Sequence, residues 1–120
     1  MIAISSVAGL KSLPGQAHYS SAKHGLVGLV KTAAIELGGF GIRVNSVHPW
    51  GVATEMAQDP LVAKLLEDNP GYLRSFGSVI DDVELAEPWE ISEAVIYLAS
   101  DAARLVTGIQ LPVDKGATIV

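Results

Sequence analysis

Short apolar runs alternate with longer stretches of helical period along this chain. Ile2-Ala3-Ile4 is a compact apolar run of the kind a buried strand shows. Ser5 to Gly15 is small and turn-rich, punctuated by Gly9 and Pro14-Gly15. From about Ala17 to Leu37, the residues Leu26, Leu29, Val30, Ala33, Ala34 and Leu37 form one helical stripe, with Gly38 and Gly39 as the expected C-cap. Ile42 to Val47 reads as a second strand, stopped by His48-Pro49. Asp59-Pro60 has the form of a helix start, with Asp59 as N-cap and Pro60 at the first helical position. Residues 68–87 are irregular and partly acidic, a long connection of the kind that often serves as a lid. Pro88 opens a further helix, in which Ile91, Ala94, Val95, Leu98 and Ala99 share one face. Gly108 precedes a third strand, Ile109 to Val113, and Asp114-Lys115-Gly116 turns out of it. The order strand, helix, strand, helices, strand predicts an α/β fold with a parallel sheet and helical crossovers.

Composition narrows the class. A chain of 120 residues supports one modest core, and 49% apolar with 18% charged residues argues against disorder. No run of about 18 apolar residues occurs, so no membrane partner is expected. Met1-Ile2-Ala3-Ile4 lacks the basic flank of a secretory leader. The absence of cysteine removes disulfides and thiolate metal sites, which makes the cytoplasm the simplest compartment. A net charge of −5 argues against a nucleic-acid partner.

The candidate chemistry lies in Ser6, Tyr19 and Lys23. Tyr19 and Lys23 stand at i and i+4 of the first predicted helix and so share a face. An ammonium beside a phenol favours the phenolate, which turns a poor base into a usable proton carrier. Ser6 adds a neutral hydroxyl able to hold a carbonyl or alcohol oxygen. By itself the Tyr/Lys pair has a plainer reading, a surface pair one helical turn apart. Ser5 would point to the other side of an extended segment from Ser6 and is read as structural. His18, His24 and His48 are too scattered for a metal site, and no metal is expected. His18, beside Tyr19, would line the pocket or pack, with packing preferred, and Asp81, Asp82 and Glu84 are read as a solvated loop. Met56, Leu61, Leu65 and Phe76 suit either a core or a substrate cleft.

Taken together, these segments resemble the short-chain dehydrogenase/reductase family over nearly the whole chain. The resemblance rests on Ile4-Ser5-Ser6-Val7-Ala8-Gly9, on Tyr19-x-x-x-Lys23, on Gly41 through Pro49, and on Leu98-Ala99-Ser100-Asp101 with Val106-Thr107-Gly108. His48-Pro49-x-Gly51-Val52-x-Thr54, Glu87-Pro88-x-x-Ile91-Ser92 and Leu111 through Ile119 are most similar to its mycofactocin-associated, carveol-dehydrogenase-like branch. The resemblance implies an NAD(P)-dependent oxidoreductase that interconverts a secondary alcohol and a ketone. Tyr19 would be the acid/base, and Lys23 would bind the nicotinamide ribose and support Tyr19. Ser6 would position the substrate oxygen. Pro49, Gly51, Val52 and Thr54 would lie against the nicotinamide, Val52 through its backbone. The implied cofactor is NAD, with NADP left open. The implied partners are a small alcohol or ketone, further copies of the chain in a dimer or tetramer, and a mycofactocin redox partner.

Two departures qualify the resemblance. No glycine-rich dinucleotide fingerprint follows a strand anywhere in these residues, and that motif is what brings backbone N–H groups to a pyrophosphate. Residues 1–120 thus look like the C-terminal catalytic portion of one Rossmann-type domain, about three strands of a doubly wound parallel sheet with crossover helices. The N-terminal cofactor half is missing. The first strand would then have a bare edge exposing Ile2 and Ile4, and the chain alone is expected to be inactive and prone to associate. The second departure is Trp50, where the family has a small residue; it would cover the nicotinamide, fill the substrate pocket or block it. The alternative function is a non-catalytic fragment acting only as an assembly module. A nucleotide-sugar epimerase shares Tyr-x-x-x-Lys, but the short tail after Val113 leaves no substrate domain.

Overall fold

The computed structural model describes residues Met1–Val120. Its strands are β1 (Ile2–Ile4), β2 (Asn45–Pro49) and β3 (Gln110–Val113). They form one parallel sheet in the order β1-β2-β3, with Ile4 opposite Val47 and Val47 opposite Leu111. Parallel neighbours need long crossovers, which the helices supply. Helix α1 (Ala17–Gly38) joins β1 to β2, while α2 (Pro60–Asp68) and α3 (Pro88–Ala99) lie between β2 and β3.

The sheet is covered on both sides because adjacent residues point to opposite faces. Ala3 packs with Val30 and Ala34 of α1, whereas its neighbour Ile2 packs with Val47 and with Ile91 and Leu98 of α3. This is a doubly wound arrangement of three layers. The capping chemistry matches the expected starts: the Asp59 carboxylate accepts from the Leu61 N–H, and Glu87 with Glu90 forms a reciprocal box at α3. No helix is long and apolar enough to cross a membrane.

Three local expectations are corrected. Strand β2 begins at Asn45 rather than Ile42 and runs on through His48 and Pro49. The preceding residues are held by side chains instead: Arg43 donates to the Ser100 and Val106 carbonyls, and the Thr107 hydroxyl accepts from the Val44 N–H. Pro49 is tolerated because it closes the strand, past the last β1 pairing at Ile4–Val47. Helix α1 ends at Gly38 with Gly39 as C-cap, as expected, but the left-handed residue of the ending is Gly41, in the turn beyond. Gly39 is right-handed at φ −62°, while Gly41 at φ +73° is the left-handed residue. Gly41 N–H donates to Gly38 O and Ile42 N–H to Leu37 O, the two bonds of a Schellman ending.

The buried α1 stripe is also narrower than expected. Val30 and Ala34 are buried, but Leu29 stays exposed, as does Ile35 on the far side. Finally, only Ile4 is exposed at the open edge of β1, since Ile2 is half-buried under α3. The edge itself is bare. Ser5 N–H donates to Val47 O and Asn45 N–H to Met1 O, so odd-numbered residues pair and Ile2 and Ile4 turn their backbone outward. A radius of gyration of 15.4 Å exceeds the roughly 13–14 Å of a compact domain of this length.

Candidate active site

Where β1 leaves the sheet, Ser6 adopts an extended backbone and caps the short turn Val7–Gly9. Its Oγ accepts from the Ala8 N–H at 3.1 Å, and the hydroxyl hydrogen remains to donate elsewhere. Ser5 is buried and its hydroxyl donates to the Lys23 carbonyl at 3.4 Å, in keeping with a structural role. Gly9 lets this turn meet α1. A Cβ there would stand 2.7 Å from Lys23 O and 2.8 Å from Ser5 Oγ. The serine turn is thereby pressed against the helical turn that ends in Lys23.

Tyr19 and Lys23 do share one face of α1, but the ammonium does not sit at the phenol oxygen. Lys23 Nζ lies 5.5 Å from the centroid of the Tyr19 ring, a cation–π distance. It also donates to the Ile4 carbonyl at 3.2 Å. That carbonyl is one of the outward-turned groups of the bare β1 edge, and it captures the nearest cation.

The segment after β2 is held by a single bridge between Val52 and Ala86. Ala86 N–H donates to Gly51 O, and Ala53 N–H donates to Ala86 O. Val52 O accepts from the Thr54 N–H at 2.8 Å. The Val52 N–H itself donates to no acceptor within the chain, which leaves a free backbone donor on a half-buried residue.

Every residue predicted for the site lines one cleft of about 440 Å³: Ser6, Tyr19, Lys23, Pro49, Gly51, Val52 and Thr54. A second cleft of about 540 Å³ opens on the other side of the serine and tyrosine. Met56, Leu61, Leu65 and Phe76, which the sequence left between core and cleft, all line it. The two clefts share Ser6, Tyr19, Trp50, Gly51 and Met56. Lys23, Val52 and Thr54 belong only to the first, and the apolar residues of α2 only to the second. Trp50 stands between them, its ring 5.7 Å from Phe76 and tilted by 44°. It lines both clefts. A third hollow, under Ser12 to Gly15, includes none of these residues.

Sequence reasoning missed His48 and preferred the wrong one of two readings for His18. His18 is exposed and lines the second cleft with Gln16 and Asp59, so it is not packing. His48 is fully buried, with Nδ1 2.7 Å from the Ser6 carbonyl and Nε2 2.8 Å from Ser46 Oγ. Burial holds its pKa below the ordinary histidine value, against the opposing pull of the Ser6 carbonyl. The His-Pro pair had suggested the end of a strand, so nothing in the sequence directed the imidazole inward.

Comparison with known proteins gives this geometry a family. The enoyl-(acyl carrier protein) reductase model matches residues 1–118. An NAD-dependent oxidoreductase of Mycobacterium tuberculosis is 46% identical over 118 residues, covering 98% of this chain and 43% of that protein. The (−)-trans-carveol dehydrogenase of Rhodococcus erythropolis is 38% identical over 136 residues, covering 99% of this chain and 46% of its own. Among solved structures, a short chain dehydrogenase from Mycobacterium paratuberculosis bound to NAD superposes with a TM-score of 0.93 at 42% identity, covering 99% of this chain and 45% of that one. The chain therefore spans less than half the length of the relatives it matches. With near-complete coverage by the family model and identities well above those at which only fold is shared, this chain belongs to the short-chain dehydrogenase/reductase family.

Proposed function

We propose that this chain is the proton-transfer portion of an NAD-dependent oxidoreductase that interconverts a secondary alcohol and a ketone. One observation carries the reading: Ser6 and Tyr19 stand on the border shared by two clefts. One cleft offers a cation, a free backbone N–H and a hydroxyl. The other offers an apolar wall. A reaction between two ligands needs such a border, with the acid/base within reach of both.

The first cleft fits the nicotinamide end of a dinucleotide. Lys23 would hold ribose hydroxyls, the unpaired Val52 N–H would take the carboxamide oxygen, and Thr54 would add a hydroxyl, with Pro49 and Gly51 shaping the turn. Relatives named as NAD-dependent or solved with NAD support that choice. When bound, the cofactor supplies a hydride acceptor or donor. These residues contain no glycine-rich pyrophosphate cradle, so the proposal places that element outside residues 1–120.

The alcohol would enter the second cleft with its hydroxyl at Ser6 and Tyr19. Ser6 would donate its free hydrogen to the substrate oxygen and fix its direction. Tyr19 would take the alcohol proton during oxidation, or return it during reduction. The apolar walls would exclude water. Relatives named for carveol, borneol and trans-4-hydroxycyclohexanecarboxylate support a substrate of this class. The likeness to carveol dehydrogenase extends the proposal to a mycofactocin-type electron acceptor, tested by whether such an acceptor sustains turnover without added free NAD.

The test joins this chain to its dinucleotide-binding half. Tyr19→Phe should cut turnover on the order of 10²- to 10⁴-fold while nicotinamide-fluorescence titration shows unchanged NAD binding. Full turnover in the variant would remove Tyr19 from its role. The second reading, an assembly module without catalysis, draws on the bare β1 edge and on exposed Ile35, Phe40 and Leu105. Association without turnover in that joined protein would favour it.

A further inference from the structure

We propose that His48 is a positioning residue: it holds Ser6 in place by donating from Nδ1 to the Ser6 carbonyl. The inference rests on the reading above, in which Ser6 fixes the substrate oxygen. His48 lines neither cleft and touches no ligand position. Its action runs through the serine.

The tautomer follows from the partners. The Ser6 carbonyl, 2.7 Å from Nδ1, can only accept, so Nδ1 carries the proton. Nε2 is then the acceptor, and Ser46 Oγ, 2.8 Å away, donates to it. The bonds run one way, from the Ser46 hydroxyl to the imidazole to the Ser6 carbonyl. Ser46 and His48 are two apart on β2 and so share a face, and neither is exposed.

The Ser6 carbonyl also accepts from the Gly9 N–H at 2.9 Å. Both of its lone pairs are therefore used, and the Ser6 Oγ accepts from the Ala8 N–H. Of these three bonds, the two from Ala8 and Gly9 belong to a three-residue turn that carries little rigidity by itself. Only the bond from His48 ties Ser6 to the sheet. With all three in place, the single freedom left at Ser6 is rotation of its hydroxyl hydrogen, the atom that meets substrate. Loss of the imidazole bond leaves a part-buried carbonyl half-satisfied and lets the turn drift.

Two substitutions separate this role from space-filling. Asparagine places its amide nitrogen where Nδ1 stands, and glutamine places its amide near Nε2. His48→Asn should keep the Ser6 carbonyl ¹³C shift of the wild type, whereas His48→Gln should move it upfield. In the protein joined to its dinucleotide half, His48→Gln should lower kcat by about 10- to 100-fold with KM little changed, and His48→Asn should restore most of it. Equal behaviour of the two variants overturns the inference. In the unsubstituted chain, ¹⁵N NMR should show Nδ1 protonated and Nε2 bare; the opposite tautomer also overturns it. Ser6→Ala distinguishes the two levels. Full turnover there removes the role of Ser6 itself, while the Ser6 carbonyl shift still decides whether His48 holds that carbonyl.

Discussion

Strand β2 and the segment that follows it differ more than any other two neighbouring stretches of the molecule. All five residues of β2 are buried, and its polar side chains, Asn45, Ser46 and His48, each have bonded partners. From Ala53 to Leu61 every residue is exposed, and α2 has no buried residue. The first stretch anchors Ser6 through His48. The second forms the outer wall of the apolar cleft. In the proposed function, proton chemistry would thus be built on a fixed frame, and substrate recognition on a wall with few contacts to lose. Such a division is expected where one chemistry serves many substrates.

The largest contrast should come from paired truncations. Leu98→Ala, under the sheet and 1% exposed, should cost about 2–5 kcal/mol by denaturant unfolding. Leu61→Ala, 74% exposed on α2, should change stability by less than about 0.5 kcal/mol yet raise KM for an apolar alcohol. Similar losses at both positions would erase the distinction between frame and wall.

Gly9→Ala should act next. Its Cβ would meet Lys23 O and Ser5 Oγ, so the serine turn must move away from α1, at about 1–3 kcal/mol. A melting temperature equal to the parent's would show that the turn is looser than the contacts imply.

A smaller effect should appear with pH. The folded-state pKa of His48 lies below its unfolded value of about 6.5, so the unfolded chain binds the proton more readily. The stability owed to keeping His48 neutral is complete above about pH 6.5 and drains away as the pH falls through the lower, folded value. Thermal melting between about pH 8 and pH 5 should show that decline, and His48→Gln should flatten it. An unchanged slope in the variant would assign the decline to other groups.

The same division governs how much the sequence revealed. Ser6, Tyr19 and Lys23 were legible because residue type and helical spacing both pointed to one chemistry. Gly51 to Thr54 were legible as a turn following a strand. His48 was not, because its role depends on a contact across 42 residues of chain to a backbone carbonyl, which side-chain pattern does not encode. The apolar cleft was only half legible: Met56, Leu61, Leu65 and Phe76 had the right character, but nothing local distinguishes a cleft wall from a core. Which glycine turns left-handed after α1 was not legible for a related reason. Three glycines, Gly38, Gly39 and Gly41, lie close together, and only backbone geometry tells which one turns left-handed.

The position of the substrate oxygen tests the account most directly. A structure of the joined protein with NAD and an unreactive ketone analogue should place the nicotinamide beside Lys23, Val52 and Thr54. It should place the ketone oxygen within hydrogen-bonding distance of both the Ser6 and Tyr19 hydroxyls. A ketone oxygen bound elsewhere, with both hydroxyls turned to solvent, would contradict the assignment of proton transfer to this border.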